Sequence, residues 1–237
     1  MQALSSFDLL TLWEQGQGLH PLDQGLLALS AALPEVSPES LADWPLGQRN
    51  RALVELHCTC FNSDLEGWAS CNRCGEKMEF ELDAAALVGA EAGDARSRGE
   101  VITVNGHSFR LPTSRDLAQA ARESDSRAAA ICLTERCRTD GGEPPVWSEE
   151  ELDEVGEAMA QADSLAETQI ALRCPACSSE WGESVDLAAF VWSEIEARAK
   201  RLLWEIHTLA SAYGWSQREI LSLSEVRRSL YMSMVQA

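Results

Sequence analysis

Apolar residues recur at helical steps through the first part of the chain. Phe7, Leu9, Leu10, Leu12 and Trp13 follow a cap at Ser5, with Asp8 three residues on to complete a box-like pairing, and Gly16 and Gly18 stop the run. Pro21 suits a first helical turn, and Leu22, Leu26, Leu29 and Leu33 then mark one core face. Pro34 and Pro38 break the chain, and Ser40 to Trp44 is a helical turn at most. A third helix opens at Leu46-Gly47-Gln48-Arg49-Asn50-Arg51, with Leu53, Leu56 and Cys60 inward. Arg49 and Arg51 read as solvated or locally paired, with a partner contact as the alternative. Residues 1–65 thus form an N-terminal helical region.

The period then changes from helical to alternating. Met78, Phe80 and Leu82 alternate with Glu79, Glu81 and Asp83, the pattern of a half-buried strand. A short helix is expected over Ala84 to Val88, followed by a mobile loop over Gly89 to Gly99. Val101 to Leu111 predicts a hairpin turning at Asn105-Gly106, with Val104 opposite His107, Thr103 opposite Ser108 and Ile102 opposite Phe109. His107 falls at the rim of its apolar face, a place for a packed histidine more than a ligand. Pro112 ends the strand, and Ser114 is expected to cap a helix reaching about Glu123. Another helix is read over Ser126 to Cys137, and Ser148 with Glu151 makes a capping box for a third, striped by Leu152, Val155 and Met159 and ending near Gln161. Residues 66–186 form a ribbon-and-hairpin centre with inserted helices.

Residues 187–237 return to helix. Val191, Ile195, Leu202, Ile206 and Leu209 keep helical spacing over Ala188 to Tyr213, thickened by Trp192 and Trp204, and Gly214 is the stop. Ser216 and Glu219 form a further capping box, and Ser224 caps a last helix carrying Val226, Leu230 and Met234. Helices this short are not stable alone, so they must pack on the long helix or on a partner. The predicted fold class is mainly α with a small β part.

Four cysteines give the chain its candidate chemistry. Cys71-Asn72-Arg73-Cys74 and Cys174-Pro175-Ala176-Cys177 are two C-x-x-C turns, each able to aim two thiolates at one metal ion. The gap of 99 residues between them is long for one site, so a shared metal would tie distant parts of the chain together. Shifting the first pair by 103 residues onto the second also aligns Met78 with Trp181, Leu82 with Val185, Asp83 with Asp186 and Leu87 with Phe190, although Phe80 meets Glu183. The pattern predicts two half zinc ribbons around one structural Zn2+ held by Cys71, Cys74, Cys174 and Cys177. A redox pair at Cys174 and Cys177, or plain buried thiols, are the alternatives. A redox motif wants a strand before it and a helix at it, whereas Ser178-Ser179-Glu180-Trp181 reads as turn then strand. Cys58 and Cys60, two apart on a helix, read as buried free thiols, and Cys132 and Cys137 are poorly spaced for a ligand pair.

Charge narrows the function classes. The chain has 38 acidic and 19 basic residues, a net charge of −19, which argues against nucleic-acid phosphates as a partner. No apolar run approaches a membrane span, and Met1 to Leu12 holds Asp8 and has no basic flank, so neither membrane insertion nor a signal peptide is expected. With eight cysteines, this predicts a reducing, cytoplasmic setting. There is no nucleophile elbow and no phosphate-cradling glycine loop, so no enzyme activity is expected.

Three stretches carry a resemblance. Ile206-His207-Thr208-Leu209-Ala210-Ser211-Ala212-Tyr213-Gly214-Trp215 and the following Glu219 to Ser224 and Arg227 to Tyr231 resemble the baseplate hub assembly chaperone family of contractile-tailed phages and extracellular contractile injection systems. Leu46 to Asn50 and Phe109 to Asp116 resemble two upstream segments of that family, and the two cysteine pairs are similar to its zinc-bearing branch. The likeness runs from about residue 40 to 235; the loop 89–99 and Cys58, Cys60, Cys132 and Cys137 lie outside the pattern. It implies a non-enzymatic accessory protein that assists baseplate or hub assembly by protein–protein binding. An integral baseplate component and a thiol oxidoreductase are the alternatives. Tyr213, Trp215 and Tyr231 are the candidate partner-binding residues, with core packing as the competing role.

Overall fold

The computed structural model describes residues 1–61, 64–84, 87, 101–143 and 145–235. Most of these are helical, and the strands form three separate two-stranded antiparallel hairpins. Helices α1 (Ser6–Gly16), α2 (Pro21–Ala32), α3 (Pro38–Ala42) and α4 (Leu46–Cys60) come first. Strands β1 (Asp64–Ser70) and β2 (Lys77–Asp83) make the first hairpin, and β3 (Val101–Val104) and β4 (His107–Arg110) the second. Next are α5 (Ser114–Ala120), α6 (Ser126–Cys137) and α7 (Glu149–Ala162), then β5 (Thr168–Arg173) with β6 (Glu180–Val185). The chain continues through α8 (Leu187–Tyr213), α9 (Gln217–Ser222) and α10 (Glu225–Val235). Val88 and Gly89–Gly99, where a helix end and a loop are expected, lie outside the described residues, although Ala84 and Leu87 are helical.

The 27-residue α8 is the spine. Its Ala188, Val191, Trp192, Ile195 and Leu202 share one core with Leu9, Leu12, Leu29, Leu53 and Leu56, so the first helices pack on a helix more than a hundred residues away. The contact is close: a Cβ on Gly16 would lie 2.0 Å from the Trp192 ring, so only glycine fits there. A second core joins Ile102, Phe109 and Leu111 of the middle hairpin to Trp147, Leu152, Val155 and Met159. The hairpin register matches the sequence expectation at all three predicted pairs. Asn105 and Gly106 both adopt positive φ, as a two-residue turn of this kind requires. His107 sits at the rim against Trp147, held 2.7 Å from the Asp140 carboxylate.

Several details depart from the sequence reading. β1 was not expected; Leu65 and Ala69 are its buried positions, and Gly67 between them gives no apolar signal. The short third helix starts at Pro38 under a Ser37 cap rather than at Ser40, because the Ser37 hydroxyl accepts from the Ser40 amide. Thr113, not Ser114, caps α5: its amide and hydroxyl both donate to Asp116. Arg49 is locally paired, to the neighbouring Asn50, but it is buried rather than solvated, at 5% exposed. Cys58 is exposed and Cys60 half-buried, so neither is the buried thiol expected. No helix of the described residues is long and apolar enough to cross a membrane.

The largest departure is α10. It turns Arg228 and Met232 inward and leaves Val226, Leu230 and Met234 exposed. An ion pair overrides the apolar stripe: Arg228 Nε donates to Glu205 Oε2 at 3.0 Å, its Nη1 to the Leu223 carbonyl, and its Nη2 to Ser6 Oγ. Glu205, itself 3% exposed on α8, also accepts from Arg201 at 3.2 Å. A buried guanidinium must satisfy its donors, and this orientation does so.

Candidate metal centre

Two short turns build the site. In the first, the Cys71 amide donates to the Glu76 carbonyl and the Gly75 amide to the Cys71 carbonyl. In the second, the Cys174 amide donates to the Ser179 carbonyl and the Ser178 amide to the Cys174 carbonyl. These are the same two bonds shifted by 103 residues. The residue after each second cysteine is left-handed: Gly75 at φ 73° and Ser178 at φ 57°. The repeat extends into the strands. β1 pairs Asp64 with Asp83, and β5 pairs Thr168 with Val185, a register that coincides under the same shift.

The two turns face each other. Cys71 Sγ lies 3.7 Å from Cys177 Sγ, and Cys74 Sγ lies 3.5 Å from Cys174 Sγ. All four sulfurs fall within 4.8 Å of one another. A tetrahedron with sulfur about 2.3 Å from its centre has edges of about 3.8 Å, so the cluster could hold one metal ion. The spacing is too long for S–S bonds, and all four are free thiols. The first cysteine of each pair is buried, and the second reaches toward the surface.

Electrostatics also favour a cation. The amides of Cys74 and Arg73 point at Cys71 and lower its pKa to about 6. At Cys74 the Glu76 amide pulls downward, but the facing Cys174 thiol, burial and the other sulfurs push the pKa up to about 12. Packed thiols resist joint ionisation by their mutual repulsion. A divalent ion at the centre reverses that, because its charge exceeds that of any single neighbour.

Below the site, three pairs related by the same shift pack as one small core. Leu82 and Val185, Ala84 and Leu187, and Leu87 and Phe190 meet around Leu65 and Val54, and Thr168 stands where the repeat places Leu65. The half-ribbons are thus joined twice, by sulfur and by this core. His57 is buried between the Phe61 and Phe190 rings.

A buried polar network fixes the second ribbon. Arg49 donates through Nε and Nη2 to Asn50 Oδ1 at 3.0 and 2.8 Å, and through Nη1 to Ser114 Oγ at 3.2 Å. Asn50 Nδ2 donates to the Leu165 carbonyl at 2.7 Å, just before β5. Desolvation lowers the Arg49 pKa, and Asp186 and Asp163 counter it. The Gly47 amide donates to Asp163 at 2.8 Å, and a Cβ there would lie 1.6 Å from that carboxylate. Beside the network, Asp116 accepts from Arg110 and Arg136; burial alone would raise its pKa, but the Arg110 and Thr113 bonds hold it at about 2. Sequence reasoning missed this network because its members are scattered over four segments.

Of the other candidates, Tyr213, Trp215 and Tyr231 come together. The Tyr213 and Trp215 rings stack at 4.7 Å, and Tyr231 meets both edge-on. The cluster packs on Leu209, Ile220 and Met232 and is partly exposed. Cys58, Cys60, Cys132 and Cys137 stay outside the four-sulfur group; burial pushes the Cys137 thiol up to about 12. Comparison of the chain with family models, with curated proteins and with solved structures finds no match.

Proposed function

We propose that this chain is a zinc-stapled, non-enzymatic accessory protein that assists baseplate or hub assembly of a contractile injection machine by binding other proteins. The assembly role rests on the resemblance of residues 46–50, 109–116 and 206–231. An all-thiolate, tetrahedral donor set suits zinc. With four protein ligands the ion has no open position, so its work is to hold the half-ribbons together. The Leu46–Asn50 and Phe109–Asp116 segments support a scaffold role, since they join each other through Arg49 and Ser114.

The observation that carries the binding role is the half-exposed stack of Tyr213, Trp215 and Tyr231. Interlocked rings lose little side-chain freedom on binding and make good interface anchors. Deleting the gene in its source strain is expected to leave baseplate subunits expressed while intact particles fall sharply by electron microscopy. Normal particle yield would overturn the reading. Mass spectrometry of particles from the parent strain then separates roles: absence supports the helper, and stoichiometric presence supports an integral component.

A further inference from the structure

We propose that the outer face of the first half-ribbon docks an extended, arginine-bearing segment of a partner protein. The register of β1 and β2 sets Glu66 opposite Glu81 and Trp68 opposite Glu79. All four side chains are exposed, Trp68 at 71%. A groove of about 350 Å³ is lined by these four residues together with Gly67 and Phe80, the pair between them.

The second half-ribbon is the internal control. In the same register it carries Gln169 opposite Ser184 and Ala171 opposite Gly182. The ribbon therefore folds without a ring or a carboxylate at these positions. In the first ribbon they come at a cost, because like charges directly across a strand pair repel, as Glu66 and Glu81 do. The repulsion reaches α8, where burial and then the Glu66 carboxylate raise the Glu194 pKa.

Charge and shape commit the face to one kind of occupant. Three carboxylates beside an open indole suit a flat organic cation. A guanidinium stacks on indole and offers carboxylates a fork of donors. A single metal ion does not suit: among the described residues only the four cysteines bring three or more ligand atoms within 4.8 Å of one another, so these carboxylates stand too far apart. The Glu66–Glu81 and Trp68–Glu79 pairs are two residues apart, about 6.8 Å along the strand, which is also the spacing of alternate side chains on an extended chain. One arginine of such a segment stacks on Trp68 beside Glu79, and the next but one reaches between Glu66 and Glu81. This face lies on other elements than the stack of Tyr213, Trp215 and Tyr231, so it stands or falls apart from the assembly role.

Fluorescence anisotropy with the full, metal-loaded chain tests this, using a labelled seven-residue peptide that alternates arginine and serine, at physiological salt. Wild type is expected to bind it saturably. Trp68→Ala leaves the net charge unchanged and is expected to weaken binding about fivefold. Joint Glu66→Gln, Glu79→Gln and Glu81→Gln is expected to weaken it about tenfold or more. Joint Glu150→Gln, Asp153→Asn and Glu157→Gln removes the same charge from the exposed side of α7 and is expected to change it less than about twofold. All variants should keep their metal in native mass spectrometry, since the replaced side chains are exposed; should Trp68→Ala lose it, Trp68→Leu takes its place. No binding by wild type, or binding that survives loss of the Trp68 ring, would overturn the proposal. Equal weakening by the two triple variants would also overturn it, by reducing the effect to the attraction of any cation to an acidic chain.

Discussion

The two half-ribbons share a register, a turn and a pair of hydrogen bonds, yet sit in different surroundings. The second runs through Asp186, which caps α8 by accepting from the Ala188 and Ala189 amides, and is held from below by Asn50. The first has Leu65 and Ala69 inward and turns Glu66, Trp68, Glu79 and Glu81 outward, with Trp68 71% exposed. At the matching outward positions the second carries Gln169, Ala171, Gly182 and Ser184. The turn around the cysteines therefore needs only a few backbone bonds and one left-handed residue. Everything else in the repeat is free to diverge, and the second copy has become part of the spine while the first depends on the four-sulfur site and the small core beneath it.

Removing one sulfur tests that dependence most strongly. Cys174→Ser is expected to abolish metal retention in native mass spectrometry. The free energy at stake in small structural zinc sites is on the order of 10 kcal/mol. Hydrogen exchange in the mutant should rise more in β1 and β2 than in α8; equal rises in both would break the contrast between the ribbons. Retention of the ion would break the four-sulfur site itself.

Loss of the Arg228–Glu205 pair comes next. Glu205→Ala leaves a buried guanidinium without its carboxylate and is expected to cost about 3–5 kcal/mol in chemical denaturation. The loss should appear in α10, with the ribbons' metal content unchanged.

Asn50→Ala sharpens the comparison from the other side. It strips the Leu165 carbonyl and the Arg49 guanidinium of a partner and is expected to cost about 1–3 kcal/mol. Exchange should rise in β5 and β6 while β1 and β2 keep their protection.

Acid gives an effect of similar size. The Asp116 carboxyl has a folded pKa of about 2, below its usual value of 3.8, so its contribution is present above about pH 4 and fades as pH falls toward 2. Asp116→Asn should flatten that part of the stability curve measured by denaturant titration against pH.

The smallest effect lies in the turns. Ser178→Gly is expected to stabilise the chain by about 1 kcal/mol and Gly75→Ser to destabilise it by a similar amount, because the left-handed backbone disfavours a side chain. No atom lies within 4 Å of a Cβ built on Gly75, so the effect there is of backbone origin. Opposite signs in thermal unfolding confirm that the turns are equivalent; matching signs break the equivalence.

Local signals in the sequence were enough for much of the fold. The Asn105-Gly106 hairpin register, the Ser5, Ser148 and Ser216 capping boxes and the Gly214 stop depend on residues within a few positions of one another. The four cysteines were legible for the same reason, since each C-x-x-C is a local turn and the 103-residue shift pairs them. Tertiary structure alone decided which face of α10 turns inward, that Arg49 lies buried, and that β1 is a strand. Those outcomes depend on partners far away in sequence: Glu205 and Ser6 for Arg228, Ser114 for Arg49, and β2 for a strand with glycine at its centre. Periodicity reports how apolar a face is, but not which distant carboxylate, carbonyl and hydroxyl satisfy the donors of a buried guanidinium.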